Sequence, residues 1–381
     1  MNKRPDKKTV SIESADVSAI AYASHCVRLS GMQWVLTGAV AILVVALIPS
    51  LAHRTETFVP GENYRIPYHL SEDYWLYEQL AARACAESKV LVIGDSVVWG
   101  QYVCPNGTLS SHLNEQAGGT QFANLGVNGT HPIALAGLIA SQGRGIKGQK
   151  VLLHLNPLWM SSPERDLQTE RPVSFNHPAL VPQFVPRIPS YKATIDRRIS
   201  VLAHRLLPQA GWAEHVRLAY LENSDIPAWT IEHPFGNPLS PSTSITLYPE
   251  DTPRRRPIVW EQAGLEKADF AWVDMEGSLQ WRAFRRSVEL LCRRGNNVFV
   301  CVGPLNEHML TDTSLVRYRL LKRRICRWLD DNSVAYFAAE TLGSGLYADT
   351  SHPISEGYAS LAAMLLANES FTTFCCSSRS P

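Results

Sequence analysis

Residues 29–52 carry no charge, and 35–48 (VLTGAVAILVVALI) are almost continuously apolar. As a helix, twenty-four uncharged residues reach about 36 Å, enough to cross a hydrocarbon core of roughly 30 Å. A core helix of a soluble domain normally shows a polar stripe, and this run has none, so a transmembrane anchor is expected over 29–52. Lys3, Arg4, Lys7, Lys8 and Arg28 precede it. Only Arg54 and Arg65 follow closely, among Glu56, Glu62, Glu72 and Asp73. The positive-inside rule then puts residues 1–28 in the cytoplasm and everything after about residue 53 outside, as a single-pass protein. Ser50-Leu51-Ala52 resembles a signal-cleavage site, but the stretch before the apolar run is long for a signal peptide. An uncleaved anchor is the expectation.

That topology leaves seven of the eight cysteines on the oxidising side and Cys26 behind. Cys85 and Cys104 bracket a short strand pattern and are the candidate disulfide. No Cys/His cluster has zinc-ligand spacing, so neither a metal nor another cofactor is expected. The net charge of +1 advertises no basic face, which argues against a nucleic-acid partner.

Beyond a linker and lead-in at 53–84, strand and helix patterns alternate. Short apolar runs at 89–94 (KVLVIG), 122–126 (FANLG) and 150–155 (KVLLHL) are separated by helical patterns near 109–116 and 132–142. After residue 264 the alternation resumes with a helix over 276–294, a strand at 298–302, a helix over 313–329, a strand at 334–338 and a helix over 354–368. Strands and helices alternating at this spacing predict parallel βαβ units, hence an α/β sheet covered on both faces. Between 161 and 264 the pattern breaks. Fifteen of the twenty-four prolines fall between Pro157 and Pro257, and a structureless loop of that length is improbable inside a compact domain. It reads as an inserted lid or acceptor platform over the strand ends. Trp159 at its root and Trp212, Trp229 and Trp260 within it offer flat surfaces for sugar rings, with packing inside the lid the expected use of most of them. Within it, 191–207 reads as a helix whose Tyr191, Ile195, Ile199, Leu202 and Leu206 face the domain, with Arg197, Arg198 and Arg205 outward; a seat on the lipid surface is the lesser alternative, three outward arginines being few for it. Residues 371–381 read as a polar tail.

Ligands of open α/β sheets sit beyond the carboxyl ends of the strands. Those ends carry Gly94-Asp95-Ser96, Gly126-Val127-Asn128 and Asn156, and Asp349-Thr350-Ser351-His352 precedes the last helix. A serine hydroxyl becomes a nucleophile when a histidine takes its proton, and a carboxylate fixes that histidine's tautomer. Ser96, His352 and Asp349 are the candidates for these roles. Backbone N–H groups of Ser96 and Gly126 and the Asn156 amide are candidate oxyanion donors. Asp95, Asn128, Glu307 and His308 are candidate substrate contacts.

GDSVVWG at 94–100, the glycine of NLGVNG, the asparagine of HLNP and DTSH at 349–352 resemble, in order, the four blocks of the SGNH (GDSL-type) hydrolase superfamily. The resemblance covers roughly 85–160 and 275–370. It implies a flavodoxin-like three-layer α/β/α sandwich with a parallel sheet over 85–370, interrupted by the insertion at 161–264. It further implies Ser96 as nucleophile, His352 as base, Asp349 as its partner, and Gly126 and Asn156 in the oxyanion hole. One departure is clear: the family's third block usually reads G-x-N-D, where this chain has His154-Leu155-Asn156-Pro157. The expected activity is that of a membrane-anchored, extracytoplasmic serine esterase acting on acyl esters of a carbohydrate or envelope polymer. An acyltransferase of envelope polysaccharide, working with envelope-assembly partners, is the close alternative. A non-catalytic carbohydrate-binding or assembly module of the same fold is the distant one.

Overall fold

The computed structural model describes residues 29–61, 63–236, 244–246, 253 and 255–377. The tail expected over 1–28, with Cys26, lies outside them. The chain divides into two compact units, Met1–Ile48 and Pro49–Pro381. Helix α1 (Gly31–Thr55) is long and apolar enough to cross a membrane, and only 6% of its most apolar stretch is buried in the protein.

In the second unit, strand β1 (Thr57–Val59) precedes α2 (Tyr74–Ala86), followed by β2 (Val90–Gly94), the short α3 (Ser96–Trp99), α4 (Leu109–Gln116), β3 (Phe122–Gly126), α5 (Pro132–Ser141) and β4 (Lys150–Leu155). The segment from 161 to 264 then contributes α6 (Ile195–Leu206), α7 (Pro208–Ala219), α8 (Ile226–Glu232) and β5 (Ser244–Thr246), the last paired in parallel with β1. The chain closes with α9 (Leu279–Arg293), β6 (Asn297–Val302), α10 (Asp312–Asp331), β7 (Ala335–Ala338), α11 (Ser355–Ala367) and α12 (Glu369–Cys376).

Five strands form one parallel sheet in the order β3-β2-β4-β6-β7. Alternate strand residues serve opposite faces, as the two-residue pleat requires. Leu91, Ile93, Val151, Leu153, Val298 and Val300 join one apolar cluster with α2, α5, α9 and α10. Val90, Val92, Leu152, Phe299 and Cys301 join another with α4, α11 and α12. The near-continuous apolar strands are explained by burial on both faces. Strand order reverses between β2 and β4, which opens a crevice beyond their carboxyl ends.

Several expectations need correction. The lead-in is no linker: α2 buries Leu76, Tyr77, Leu80, Ala81 and Ala84, and Arg65 lies with its guanidinium 3.8 Å from the centre of the Trp99 ring. Residues 371–376 of the supposed tail belong to α12, whose Phe371 and Phe374, three residues apart on one face, pack against Phe299. The segment 161–264 is built into the domain, because Leu167, Leu180, Val181, Ile188, Tyr191 and Leu218 belong to the main core. Asp166 also accepts the Leu279 and Gln280 N–H groups at the start of α9, at 2.8 and 3.2 Å. Trp229 and Trp260 are buried and pack against His233 and Tyr347, the packing use expected of most of these tryptophans. The Cys85–Cys104 disulfide is not formed.

Candidate active site

Asp95 caps α3, its Oδ1 accepting the Val97 N–H at 3.0 Å. The sharp turn from β2 into this short helix lifts Ser96 to the crevice. Gly100, at φ +89°, ends the helix and returns its N–H to Ser96 O at 2.9 Å. Ser96 Oγ lies 2.9 Å from His352 Nε2. On the other side of the ring, His352 Nδ1 is 2.9 Å from both carboxylate oxygens of Asp349. Asp349 Oδ1 also accepts the Ser351 and His352 N–H groups, each at 2.9 Å. The three-residue spacing is what lets one loop close on itself in this way.

Two contacts on this loop carried no sequence signal. The Tyr102 hydroxyl donates to Asp349 Oδ2 at 3.1 Å, and Arg255 Nη1 lies 3.4 Å from that hydroxyl. Asn306 donates twice to the loop, its N–H to Thr350 O at 2.8 Å and its Nδ2 to Asp349 O at 3.4 Å. The tyrosine lies 247 residues from Asp349, so no local pattern could join them.

Burial acts to raise Asp349, but the facing His352 and the two backbone donors outweigh it and hold the carboxyl below its ordinary range. Burial likewise acts to lower His352, and Asp349 overcomes it, leaving the imidazole above its ordinary value. A neutral His352 with its Nδ1 proton on Asp349 can accept the Ser96 proton at Nε2.

The expected oxyanion donors fare differently. As the first residue of α3, Ser96 has an N–H with no intrahelical carbonyl to bond. Asn156 donates one Nδ2 hydrogen to Asp95 Oδ2 at 2.9 Å and accepts the Leu158 N–H at Oδ1, which leaves its second Nδ2 hydrogen. The Gly126 N–H is already donated to Asn124 Oδ1 at 3.0 Å. Gly126 is instead required for close approach, since a Cβ there would sit 2.5 Å from Trp99 N.

Asp95 is buried and does not face the triad. It binds the side chains of Asn156 and Trp159 at 2.9 Å each, with His154 Nδ1 at 3.4 Å. Burial raises its carboxyl, but His154, Trp159 and Asn156 prevail and bring it to about 2. His154, standing where the family's third block has glycine, also donates Nε2–H to Gly303 O at 3.0 Å. Trp159 is therefore tied to the carboxylate beside the nucleophile. Asn128 lies on the loop after β3, where its Oδ1 is buried with no hydrogen-bond partner among the described residues. Glu307 and His308 are not brought to Ser96. Glu307 is paired with Arg319 at 2.9 Å and His308 binds Leu342 O at 3.0 Å.

Compared with known proteins, the chain matches no protein-family model and no curated sequence.

Proposed function

We propose that this chain is a serine esterase or acyltransferase of the SGNH type, held to a membrane by α1 with its catalytic unit on the outer side. The observation that carries the reading is the unbroken relay from Ser96 Oγ through His352 to Asp349, with 2.9 Å at each step. Its position supports the same reading. The relay stands at the carboxyl edge of a parallel sheet whose order, numbered within the sheet, is 2-1-3-4-5, the flavodoxin-like arrangement. The excess of basic residues before α1 supports an inward N-terminus.

In the proposed reaction, Ser96 Oγ attacks the ester carbonyl while its proton passes to His352 Nε2. The oxyanion is met by the Ser96 N–H and the free Asn156 amide hydrogen. Collapse expels the alcohol, which takes the proton back from His352, and leaves an acyl-Ser96. Water or a sugar hydroxyl, deprotonated by the same imidazole, then accepts the acyl group. Hydrolysis and transfer differ only in that acceptor. An acylated carbohydrate is the proposed donor or acceptor class.

The test is turnover of a panel of nitrophenyl acyl esters and an O-acetylated polysaccharide. Because His352 must be neutral to act and Asp349 raises it, kcat/KM is expected to rise with pH through a midpoint above about 6.5. Asp349→Asn should lower both the rate and that midpoint. A profile flat across the imidazole range, with chemistry rate-limiting, contradicts the assignment. Tyr102→Phe removes one hydrogen bond to Asp349 and leaves the other donors in place. It should cost about threefold to tenfold in kcat/KM, with the midpoint displaced upward as Asp349 loses a donor to its charged form. A loss as large as that of a triad member would make Tyr102 more than a support.

A further inference from the structure

Helix α6 carries its polarity opposite to expectation. Its apolar row is in solvent, with Ile195 67%, Ile199 55% and Leu206 75% exposed, and the helix has no buried residue. Of the three arginines expected outward, Arg197 is exposed, but Arg198 and Arg205 are turned to the protein instead. Arg198 donates to the carbonyls of Gln183, Tyr191 and Ala193, and Arg205 donates to those of Ala179 and Val181 at 2.6 Å. The helix is thus held to the domain along a polar edge, and its apolar face is left open. A contiguous open apolar row on a soluble surface marks a contact.

The position of α6 identifies the contact. It is joined end to end with α7, since Leu207 caps both. From α7, His215 Nε2 binds Glu56, the residue following α1, at 2.7 Å. A cavity of about 540 Å³ is lined both by His53, in the last turn of α1, and by Arg197, Val201 and His204 of α6. Helix α6 therefore lies across one cavity from the point where the membrane-length helix ends.

We propose that α6 is an interfacial helix, its Ile195–Ile199–Leu202–Leu206 face seated in the headgroup–acyl boundary of the same bilayer that α1 crosses. The inference rests on α1 being a membrane span. It gives the catalytic unit a second membrane contact, so that the Ser96 crevice keeps one orientation to the surface instead of swinging on a single tether.

The test uses the full chain in vesicles of phosphatidylethanolamine and phosphatidylglycerol, with p-benzoylphenylalanine replacing one residue at a time. The positions are Ile199 and Leu206 on α6, Val44 within α1, and Val316, exposed on α10. After irradiation, adducts carrying the mass of one lipid are expected at 44, 199 and 206 but not at 316. Lipid adducts at 44 alone would overturn the interfacial helix while leaving the span intact. Lacking an adduct at 44, the chain would have no span and both readings would fall together. Adducts at 199 or 206 to a second copy of the chain would assign the face to self-association and overturn the proposal.

Discussion

Ser96→Ala is expected to lower kcat for ester turnover by about three to six orders of magnitude, because the hydroxyl that forms the acyl intermediate is gone. The protein should remain folded. Among the described residues Ser96 Oγ hydrogen-bonds only to His352, and alanine keeps the backbone of α3 and its Asp95 cap. Some catalysis over water should persist, since the Ser96 N–H and the Asn156 amide are still present to meet an oxyanion. Turnover retained above about a tenth of wild type would remove Ser96 from the role.

The second large effect concerns stability. His215 has no exposed side-chain surface and stands between two carboxylates, with Nδ1 2.7 Å from Asp73 and Nε2 2.7 Å from Glu56. Trp75 and Tyr220 also donate to Glu56. Burial acts to lower this imidazole, but the hydrogen bonds it donates to Asp73 and Glu56 outweigh that and bring it to about 9. His215→Ala would leave two buried acidic groups facing one another without a cation. It should cost about 3–5 kcal/mol, read as a fall in the thermal midpoint of the full chain in detergent. The pH dependence follows from the direction of the shift. A group raised in the folded state stabilises fully below its unfolded value, about 6.5 for histidine, and the contribution is lost as pH climbs through the folded value. Wild type should therefore lose roughly 3 kcal/mol between about pH 6.5 and 9, and His215→Ala should lack that slope. A variant as stable as wild type at pH 6 would show that the buried triad contributes nothing.

The parts legible in sequence were those written in short periods. The strands at 122–126 and 150–155 have the same bounds in sequence and structure, because apolar runs closed by glycine or by Asn-Pro have few alternatives. The Asp349–His352 contact was legible because three residues on a loop must fold back on one another. Less legible was whatever depends on a distant partner. Helix α2 shows little amphipathic contrast, and its anchoring histidine stands 142 residues away. Phe371 and Phe374 sit in a stretch whose other residues are polar or cysteine, so their burial shows only once α12 lies on Phe299. Helix α6 shows the sharpest limit: its period was plain, but the choice of face was inverted. Periodicity fixes a helix and its two sides without saying which solvent each side meets. The segment around it misled for the same reason. Replacing 161–264 with a linker would strip Leu180, Val181 and Tyr191 from the core, so the excised protein is expected to unfold rather than keep small-ester activity.

The central claim is that Ser96 is a nucleophile activated by His352, and covalent capture tests it most directly. The full chain in detergent is treated with a fluorophosphonate, digested, and mapped by mass spectrometry. The account predicts one adduct, on the peptide containing Ser96, lost in Ser96→Ala and strongly slowed in His352→Ala. An unlabelled wild-type Ser96, or an adduct on another residue that persists in Ser96→Ala, would contradict it.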